Sequence, residues 1–264
     1  MKRIADVFAH QGRKALIAYV TVGYPSVEAT MKVVPLLAEC GCDIVELGIP
    51  FSDPQADGAT IQNASHQAIL NGVTPKLCLD IAAELGKITD IPLVFMTYLN
   101  PVLSYGFAEF CSACTRSAVS GLIVPDLPPD EGAELDDLTR QNGIDLIYLL
   151  PPTATSARVS LIARRSQGFI YLVSVTGVTG ARASLPQHLE ASIAGLRKIT
   201  DKPLCVGFGV SSPAQAREAA RMTDGVIIGS KIIQLMEKDA SFCALKDFVK
   251  EVREALDETT ETGK

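Results

Sequence analysis

Eight short runs of mostly β-branched and aliphatic residues recur along the chain, and longer amphipathic segments separate them. The runs lie at 15–21, 43–48, 92–96, 121–124, 144–149, 169–173, 203–206 and 225–228. Strands that alternate with helices imply parallel strands joined by helical crossovers. Because eight such units in 264 residues match the usual size of a closed barrel, the sequence predicts one α/β domain over 1–264, a (β/α)8 barrel. A doubly wound open sheet is the structural alternative.

The segments between the runs carry helix signals. Helices are predicted at 26–39, 74–85, 108–118, 130–141, 156–165, 186–198 and 213–222. Thr74 and Ser212 each place a capping hydroxyl before a proline at the first helical position. Residues 4–10 can form an extra N-terminal helix over the floor of such a TIM barrel, and Gly229 with Ser230 can open a short extra helix after strand eight. The polar tail 257–264 is expected to be frayed.

The composition argues against several classes of protein. The net charge of −6 argues against a nucleic-acid-binding protein, which normally presents a basic face. No apolar stretch reaches membrane-spanning length. Seven scattered cysteines without a signal-peptide pattern predict reduced thiols in a cytoplasmic protein. Cys111 and Cys114 have the spacing of a redox motif, but they fall in a helical pattern, which favours packing. No second pair of that spacing exists, so no zinc site is predicted.

The second strand directs a carboxylate into the barrel. Because side chains alternate along a strand, Ile44, Glu46 and Gly48 point inward, while Val45 and Leu47 face the helices. An inward carboxylate is costly unless it is paired or functional. No lysine or arginine lies on the facing strand segments, which favours a functional role over a structural ion pair.

The loop after this strand brings two more carboxylates to the mouth of the barrel, where the chemistry of such barrels takes place. Residues 49–58 form a long polar loop that carries Asp53 and Asp57. Aspartate in loops usually makes an Asx turn or caps a helix. Local sequence favours that role for Asp53, and leaves Asp57 open between a turn and a function.

Glycine-bearing loops follow the last three strands. The stretches 207–213 and 228–231 lie after strands seven and eight, where barrels of this kind often bind phosphate. Glycine allows close approach of the backbone to an anion, and a helix start offers free N–H groups. The loop 174–184 is predicted to be a mobile lid in which Gly180 touches phosphate. Ordinary connecting turns are the alternative for all three.

The histidines lie away from these strand ends. His10, His66 and His188 fall in terminal or helical segments, so neither a Ser-His-Asp triad nor a histidine metal site is predicted. The glycine fingerprint of dinucleotide binding is missing after strand one. The sequence therefore indicates no metal and no cofactor.

Several motifs, in this order, resemble the tryptophan synthase alpha subunit family along nearly the whole chain. They are ELGIPFSDP at 46–54, ADG at 56–58, TIQNA at 60–64, PDLP at 125–128, GVTG at 177–180, GFG at 207–209 and GS at 229–230. The first is highly specific, whereas the last two would fit many phosphate-binding barrels. The resemblance implies a lyase of tryptophan biosynthesis that cleaves indole-3-glycerol phosphate to indole and glyceraldehyde 3-phosphate by a retro-aldol reaction.

The resemblance also implies roles for individual residues. Glu46 corresponds to the general acid–base, and Asp57 to the carboxylate that holds the indole N–H. The substrate pocket is lined by Tyr19, Tyr98, Tyr171 and Thr179, the last of which is the lid residue that meets Asp57 on closure. The phosphate site corresponds to Gly180, Phe208, Gly209, Gly229 and Ser230. Four positions depart from the commoner family residues, namely Val175, Gln55, Ala59 and Tyr19.

The resemblance further implies a partner. The expected assembly is an alpha2beta2 heterotetramer with a beta subunit that carries pyridoxal phosphate, while this chain needs no cofactor. Activation by that subunit is expected, with the partner contacting the loop around Asp53 and Pro54. Two alternatives stay open: another phosphate-binding barrel of the sugar-phosphate isomerase or epimerase type, and a non-catalytic activating subunit. Intact Glu46 and Asp57 argue against the second.

Overall fold

A computed structural model of the protein describes residues 2–9, 12–173, 188–207 and 209–261. Its strands are β1 (Ala15–Thr21), β2 (Ile44–Gly48), β3 (Leu93–Met96), β4 (Val119–Ile123), β5 (Asp145–Ile147), β6 (Leu149–Leu150), β7 (Ile170–Val173), β8 (Leu204–Gly207) and β9 (Gly225–Ile228). Its helices are α1 (Ile4–Phe8), α2 (Val27–Glu39), α3 (Ala59–Leu70), α4 (Pro75–Ile88), α5 (Leu99–Tyr105), α6 (Phe107–Arg116), α7 (Ala133–Gln141), α8 (Ser156–Arg165), α9 (His188–Arg197), α10 (Pro213–Ala220), α11 (Ser230–Lys238) and α12 (Cys243–Glu261).

The strands form one parallel sheet that wraps into a nearly closed barrel. Their order is β5-β4-β3-β2-β1-β9-β8-β7-β6. The two ends of this order, β5 and β6, are consecutive in the chain and are separated only by Tyr148. The sheet therefore returns to its starting point, which confirms the (β/α)8 TIM barrel and rules out the open sheet.

The fifth predicted strand, 144–149, is interrupted at Tyr148. The Tyr148 N–H donates to Ser166 Oγ at 3.1 Å, and its hydroxyl donates to Asp136 Oδ1 at 3.0 Å. Because Ser166 takes the backbone N–H out of the ladder while Asp136 anchors the side chain, the strand divides into β5 and β6. The other seven predicted strands are confirmed: β1 and β9 match at both ends, and the rest have ends shifted by one or two residues.

Side chains cap most of the helices that were predicted from sequence. Ser26, Thr74, Thr155 and Ser212 each accept a hydrogen bond from the backbone N–H three residues later, at 3.1 to 3.3 Å. These contacts satisfy amide groups that a helix start leaves free. By contrast, α3 and α11 begin after glycines and have no side-chain cap.

The first and last helices of the described chain, α1 and α12, both pack as parts of the fold. The N-terminal helix ends at Phe8, and its Ile4 is fully buried beneath the barrel, 2.7 Å from where a Cβ on Gly121 would lie. The prediction of a frayed tail from residue 257 is wrong for residues 257–261, which continue α12. Asp257 pairs with Arg253 at 2.7 Å, so a polar sequence is held in the helix by its ion pairs.

Buried thiols agree with the packing role predicted for the cysteines. Cys111 and Cys114 lie on the buried face of α6. Burial raises the pKa of Cys111 to about 11, which keeps the thiol protonated at neutral pH. In the described part of the chain, no helix combines the length and the apolar character that crossing a membrane requires.

Candidate active site

A pocket opens at the carboxyl ends of the strands. Barrel strands contribute Tyr19, Glu46, Met96, Tyr171 and Ile227, the loop after β2 contributes Asp57, and the turns around β8 and β9 contribute Gly209, Gly229 and Ser230. Ile61 of α3 joins Met96 and Ile227 to form an apolar wall. The pocket thus combines an apolar cleft, two carboxyl groups and an uncapped helix start.

Glu46 lies inside the barrel wall, as the alternation of β2 predicted. It pairs in register with Tyr19 of β1 and Val94 of β3, and its relative exposure is 0%. Neither carboxyl oxygen has a hydrogen-bond partner among the described residues. Burial, and then the nearby charge of Asp57, raises the pKa of Glu46 to about 8. The group is therefore largely protonated at neutral pH and can donate a proton into the pocket.

Asp57 faces Glu46 from the end of the loop. It is 6% exposed, and its Oδ2 accepts a hydrogen bond from the Tyr98 hydroxyl at 2.9 Å. Its Oδ1 is buried without a partner among the described residues. Burial raises the pKa of Asp57 to about 6, and the Tyr98 hydrogen bond opposes that rise. The carboxylate accordingly remains ionised at neutral pH.

The hydrogen bonds also bear on the two roles that the sequence left open for Asp57. Helix α3 begins after Gly58 without a side-chain cap, and the Asp57 carboxylate points instead to Tyr98. Asp53 is exposed and receives its hydrogen bond from Gln55 Nε2 at 3.1 Å within the same turn. The Asp53 carboxylate thus makes a local contact within its loop, with a side-chain amide rather than with the backbone N–H of an Asx turn or a helix cap, and Asp57 does not cap α3.

Tyr98 supports the loop from behind. Its hydroxyl accepts from the Ala56 N–H at 3.0 Å while donating to Asp57, and its ring stacks on Phe51 with centroids 5.1 Å apart. One residue on, the Leu99 N–H donates to Asp126 Oδ1 at 2.9 Å. Tyr98 therefore holds Asp57 and its loop in place, and its predicted place in the substrate pocket stays a prediction.

Two other tyrosines lie over glycines of the strands next to their own. A Cβ on Gly48 would lie 2.1 Å from the Tyr19 hydroxyl, and a Cβ on Gly207 would lie 2.3 Å from that of Tyr171. Tyr19 also shares a 3.3 Å hydrogen bond with Thr21 Oγ1. Burial is the main cause that raises the pKa of Tyr171 well above its usual value, followed by the charge of Glu46. Both hydroxyls stay protonated beside the carboxyl groups.

The structure describes only some residues of the predicted phosphate site. Gly229 is the N-cap of α11, and Gly209 adopts a φ of +100°, with no atom of the other described residues within 4 Å of where its Cβ would lie. Ser230 begins the helix, so its first amide groups face the pocket without a side-chain cap. Thr179, Gly180, Phe208 and Val175, with the predicted lid, lie outside the described residues.

Two residues for which no individual role was predicted also line this end of the pocket. Lys231 and Gln234 belong to α11. The available signal was the position of Lys231 directly after the Gly-Ser pair that opens the helix. Among the described residues no group of three histidine, cysteine or acidic side chains could hold a metal, and His66 is exposed on α3.

Comparison with known proteins connects this geometry to one family. The sequence matches the family described as tryptophan synthase alpha chain over residues 6–261. The tryptophan synthase alpha chain of Dehalococcoides mccartyi is 53% identical over 257 residues, covering 97% of this chain and 100% of that relative. The alpha chain of Geobacter sulfurreducens is 42% identical over 262 residues, covering 97% and 99%.

Solved structures give the same result for the fold. The Mycobacterium tuberculosis tryptophan synthase structure superposes with a TM-score of 0.90 at 36% identity, covering 97% of this chain and 98% of that chain. The tryptophan synthase alpha subunit of Legionella pneumophila superposes with a TM-score of 0.88 at 30% identity, covering 98% and 99%. The likeness therefore extends over the barrel as a whole.

Proposed function

The chain belongs to the tryptophan synthase alpha chain family, and we propose that its pocket cleaves indole-3-glycerol phosphate to indole and glyceraldehyde 3-phosphate. The observation that carries this proposal is the buried Glu46 carboxyl group, which has a raised pKa and lines the same pocket as Asp57 and the apolar residues Ile61, Met96 and Ile227. The apolar wall of Ile61, Met96 and Ile227 favours a substrate with an aromatic ring over a wholly polar sugar phosphate. A non-catalytic subunit would not need to keep a costly buried carboxyl group.

Glu46 is proposed to move the proton in both halves of the reaction. As a neutral acid it protonates carbon 3 of the indole ring, which leaves the ring cationic and Glu46 ionised. The carboxylate then accepts the proton of the adjacent side-chain hydroxyl. The carbon–carbon bond breaks, its electron pair returns to the ring, and the hydroxyl carbon becomes the aldehyde. Because Glu46 ends protonated, one carboxyl group serves both steps.

Asp57 is proposed to stabilise the cationic ring. Protonation at carbon 3 leaves positive charge on carbon 2 and the ring nitrogen, and a carboxylate beside that N–H lowers the energy of the intermediate. The Tyr98 hydrogen bond supports this role because it favours the ionised form of Asp57. Two carboxyl groups in different surroundings thus take different protonation states at one pH.

The phosphate group is proposed to bind at the start of α11. Gly229 and Ser230 bring uncapped amide groups to the pocket, and no atom of the other described residues lies within 4 Å of where a Cβ on Gly209 would be. A helix N-terminus with free N–H groups favours an anion. Gly180 and Phe208 remain predicted members of this site, and Thr179 a predicted contact of Asp57 in the lid.

The assembly is proposed to be an alpha2beta2 complex with a tryptophan synthase beta subunit, which carries the pyridoxal phosphate. The exposed loop around Asp53 and Pro54 is the proposed contact region, because it borders the loop that carries Asp57. Residues 1–264 are proposed to act as one catalytic domain in the cytoplasm, with no cofactor of their own.

The direct test measures indole released from synthetic indole-3-glycerol phosphate by the purified chain, alone and with its cognate beta subunit. We expect slow release alone and a faster rate in the complex. Parallel assays with sugar phosphates test the isomerase and epimerase alternative. If indole formed in neither preparation while a sugar phosphate was converted, the proposed function would be wrong.

A further inference from the structure

Lys231 is the one positively charged residue among the described residues that line the pocket. The same lining includes the carboxyl groups of Glu46 and Asp57. A phosphate monoester brings a charge of about −1.5 to −2 at neutral pH. The charge of the substrate must therefore be accommodated in a pocket where the described lining offers a single compensating side chain.

The position of Lys231 in its helix is unusual on local grounds. It is the second residue of α11, after the N-cap Gly229 and Ser230. A cation near a helix N-terminus opposes the helix dipole, which favours negative charge there. Helical side chains also lean toward the N-terminus, so the stem of Lys231 is directed to the end that borders the pocket. Sequence choices that break a local rule concentrate at functional sites.

Lys231 lines the pocket, and its ammonium group lies against an aromatic ring of α12 that is not part of the described pocket lining. Its Nζ lies 5.9 Å from the ring centroid of Phe248 in α12, which is within the range of a cation–π contact. No described carboxylate forms an ion pair with it. An aromatic face attracts the cation weakly and leaves its charge available to an incoming anion.

We propose that Lys231 is a substrate-binding residue that pairs with the dianionic phosphate group and sets the preference for phosphorylated over phosphate-free ligands. The proposal rests on the proposed function, which places the phosphate at the start of α11. Backbone amides supply geometry there, while the lysine adds a full charge that distinguishes the dianion from the monoanion. Anion binding would also remove the conflict between the lysine and the helix dipole.

The test compares two lysine substitutions on the same helix by calorimetric titration with glycerol phosphate. Lys231→Met keeps most of the stem that packs beside Phe248 and removes the charge. Lys238→Met makes the same charge change at the far end of α11. We expect Lys231→Met to weaken glycerol phosphate binding about five- to tenfold, as fits loss of a partly exposed charge-assisted contact. Lys238→Met and a charge-preserving Lys231→Arg should bind nearly as the wild type does.

Two further measurements separate a phosphate contact from a structural role. Affinity for indole, which has no phosphate, should be the same in wild type and Lys231→Met. The second pKa of a phosphate monoester lies near 6. Wild-type affinity for glycerol phosphate should therefore fall as the pH drops from about 7.5 to 5.5 through that pKa, and the fall should be shallower in Lys231→Met.

The possible outcomes distinguish the role of Lys231 from the existence of the phosphate site. Unchanged glycerol phosphate affinity in Lys231→Met, or equal losses in both methionine variants, would overturn the role of Lys231 and leave the phosphate site standing. Failure of the wild-type chain to bind glycerol phosphate would instead overturn the phosphate site of the proposed function. Equal loss of indole and glycerol phosphate binding would show that the substitution disturbs the pocket, and the Lys231→Arg variant would then have to restore both for the proposal to survive.

Discussion

The two carboxyl groups of the pocket differ in what holds them. Glu46 sits on a strand in the barrel wall, is fully buried and has no polar partner among the described residues. Asp57 ends a loop and is held by the Tyr98 hydroxyl. The strand therefore provides a neutral acid at a fixed position, and the loop provides an anion whose position depends on its support. Proton transfer and charge stabilisation are thus assigned to the rigid and the adjustable side of the pocket.

The largest effect should come from the rigid side. Glu46→Gln keeps the shape of the residue but cannot transfer a proton, so we expect indole formation to fall by about 10²–10⁴-fold or more. Steady-state indole release measures the loss, while circular dichroism and glycerol phosphate binding should match the wild type. A variant that keeps more than roughly a tenth of wild-type turnover, well short of that range, would remove Glu46 from its proposed role.

A smaller loss is expected on the loop side. Asp57→Ala removes the charge that matters most when the ring becomes cationic, so turnover should fall about 10²–10³-fold. The Michaelis constant should change much less, and Asp53→Ala, on the exposed part of the same loop, is the matched control. A raised Michaelis constant with normal turnover would instead assign Asp57 to ground-state binding.

The pH dependence tests both groups together. Glu46, with its pKa raised to about 8, must be protonated at the start, so activity is lost as pH rises through that value. Asp57, with its pKa raised to about 6, must be ionised, so activity is lost as pH falls through that value. Turnover should be bell-shaped and fall about tenfold per pH unit on each side. Because the groups interact, the two limbs belong to the pair. A profile flat from pH 5 to about 9 would contradict the assignment.

The smallest effect should come from the support of the loop. Tyr98→Phe removes the hydrogen bond to Asp57 and keeps the ring on Phe51, so we expect a roughly three- to tenfold fall in turnover, typical of one lost hydrogen bond to a charged group. That hydrogen bond lowers the pKa of Asp57, so its loss should move the acidic limb to higher pH. The alkaline limb should stay in place. An unmoved acidic limb would mean that Tyr98 does not control the ionisation of Asp57.

The periodicity of the sequence was sufficient to predict the position of Glu46, on the strand side of the pocket. Alternation along β2 predicted that Glu46 points inward, because the pleat fixes side-chain direction wherever the strand is paired. Local patterns were weaker for helices α3 and α5, which were not predicted. Helix α3 follows Gly58 without a capping side chain, and α5 is a seven-residue helix that contains Pro101. Short helices of this kind depend on tertiary packing more than on their own sequence.

Tertiary contacts explain the features that sequence could not supply. The break at Tyr148 depends on Ser166 and Asp136, which are 18 and 12 residues away in the chain. The support of Asp57 by Tyr98 spans 41 residues. From sequence alone Lys231 is typical of a solvent-exposed helix face. Only the fold shows that it lines the pocket. The resemblance to the family suggested that Tyr98 belongs to the site, but its contact with Asp57 required coordinates.

The tyrosines that lean onto Gly48 and Gly207 have a consequence for how this pocket can evolve. Each tyrosine occupies the volume that a side chain on the neighbouring strand would need. A larger residue at Gly48 therefore requires Tyr19 to shift or to be replaced, and the same holds at Gly207 for Tyr171. We expect the two members of each pair to change together when such a pocket acquires a new ring specificity.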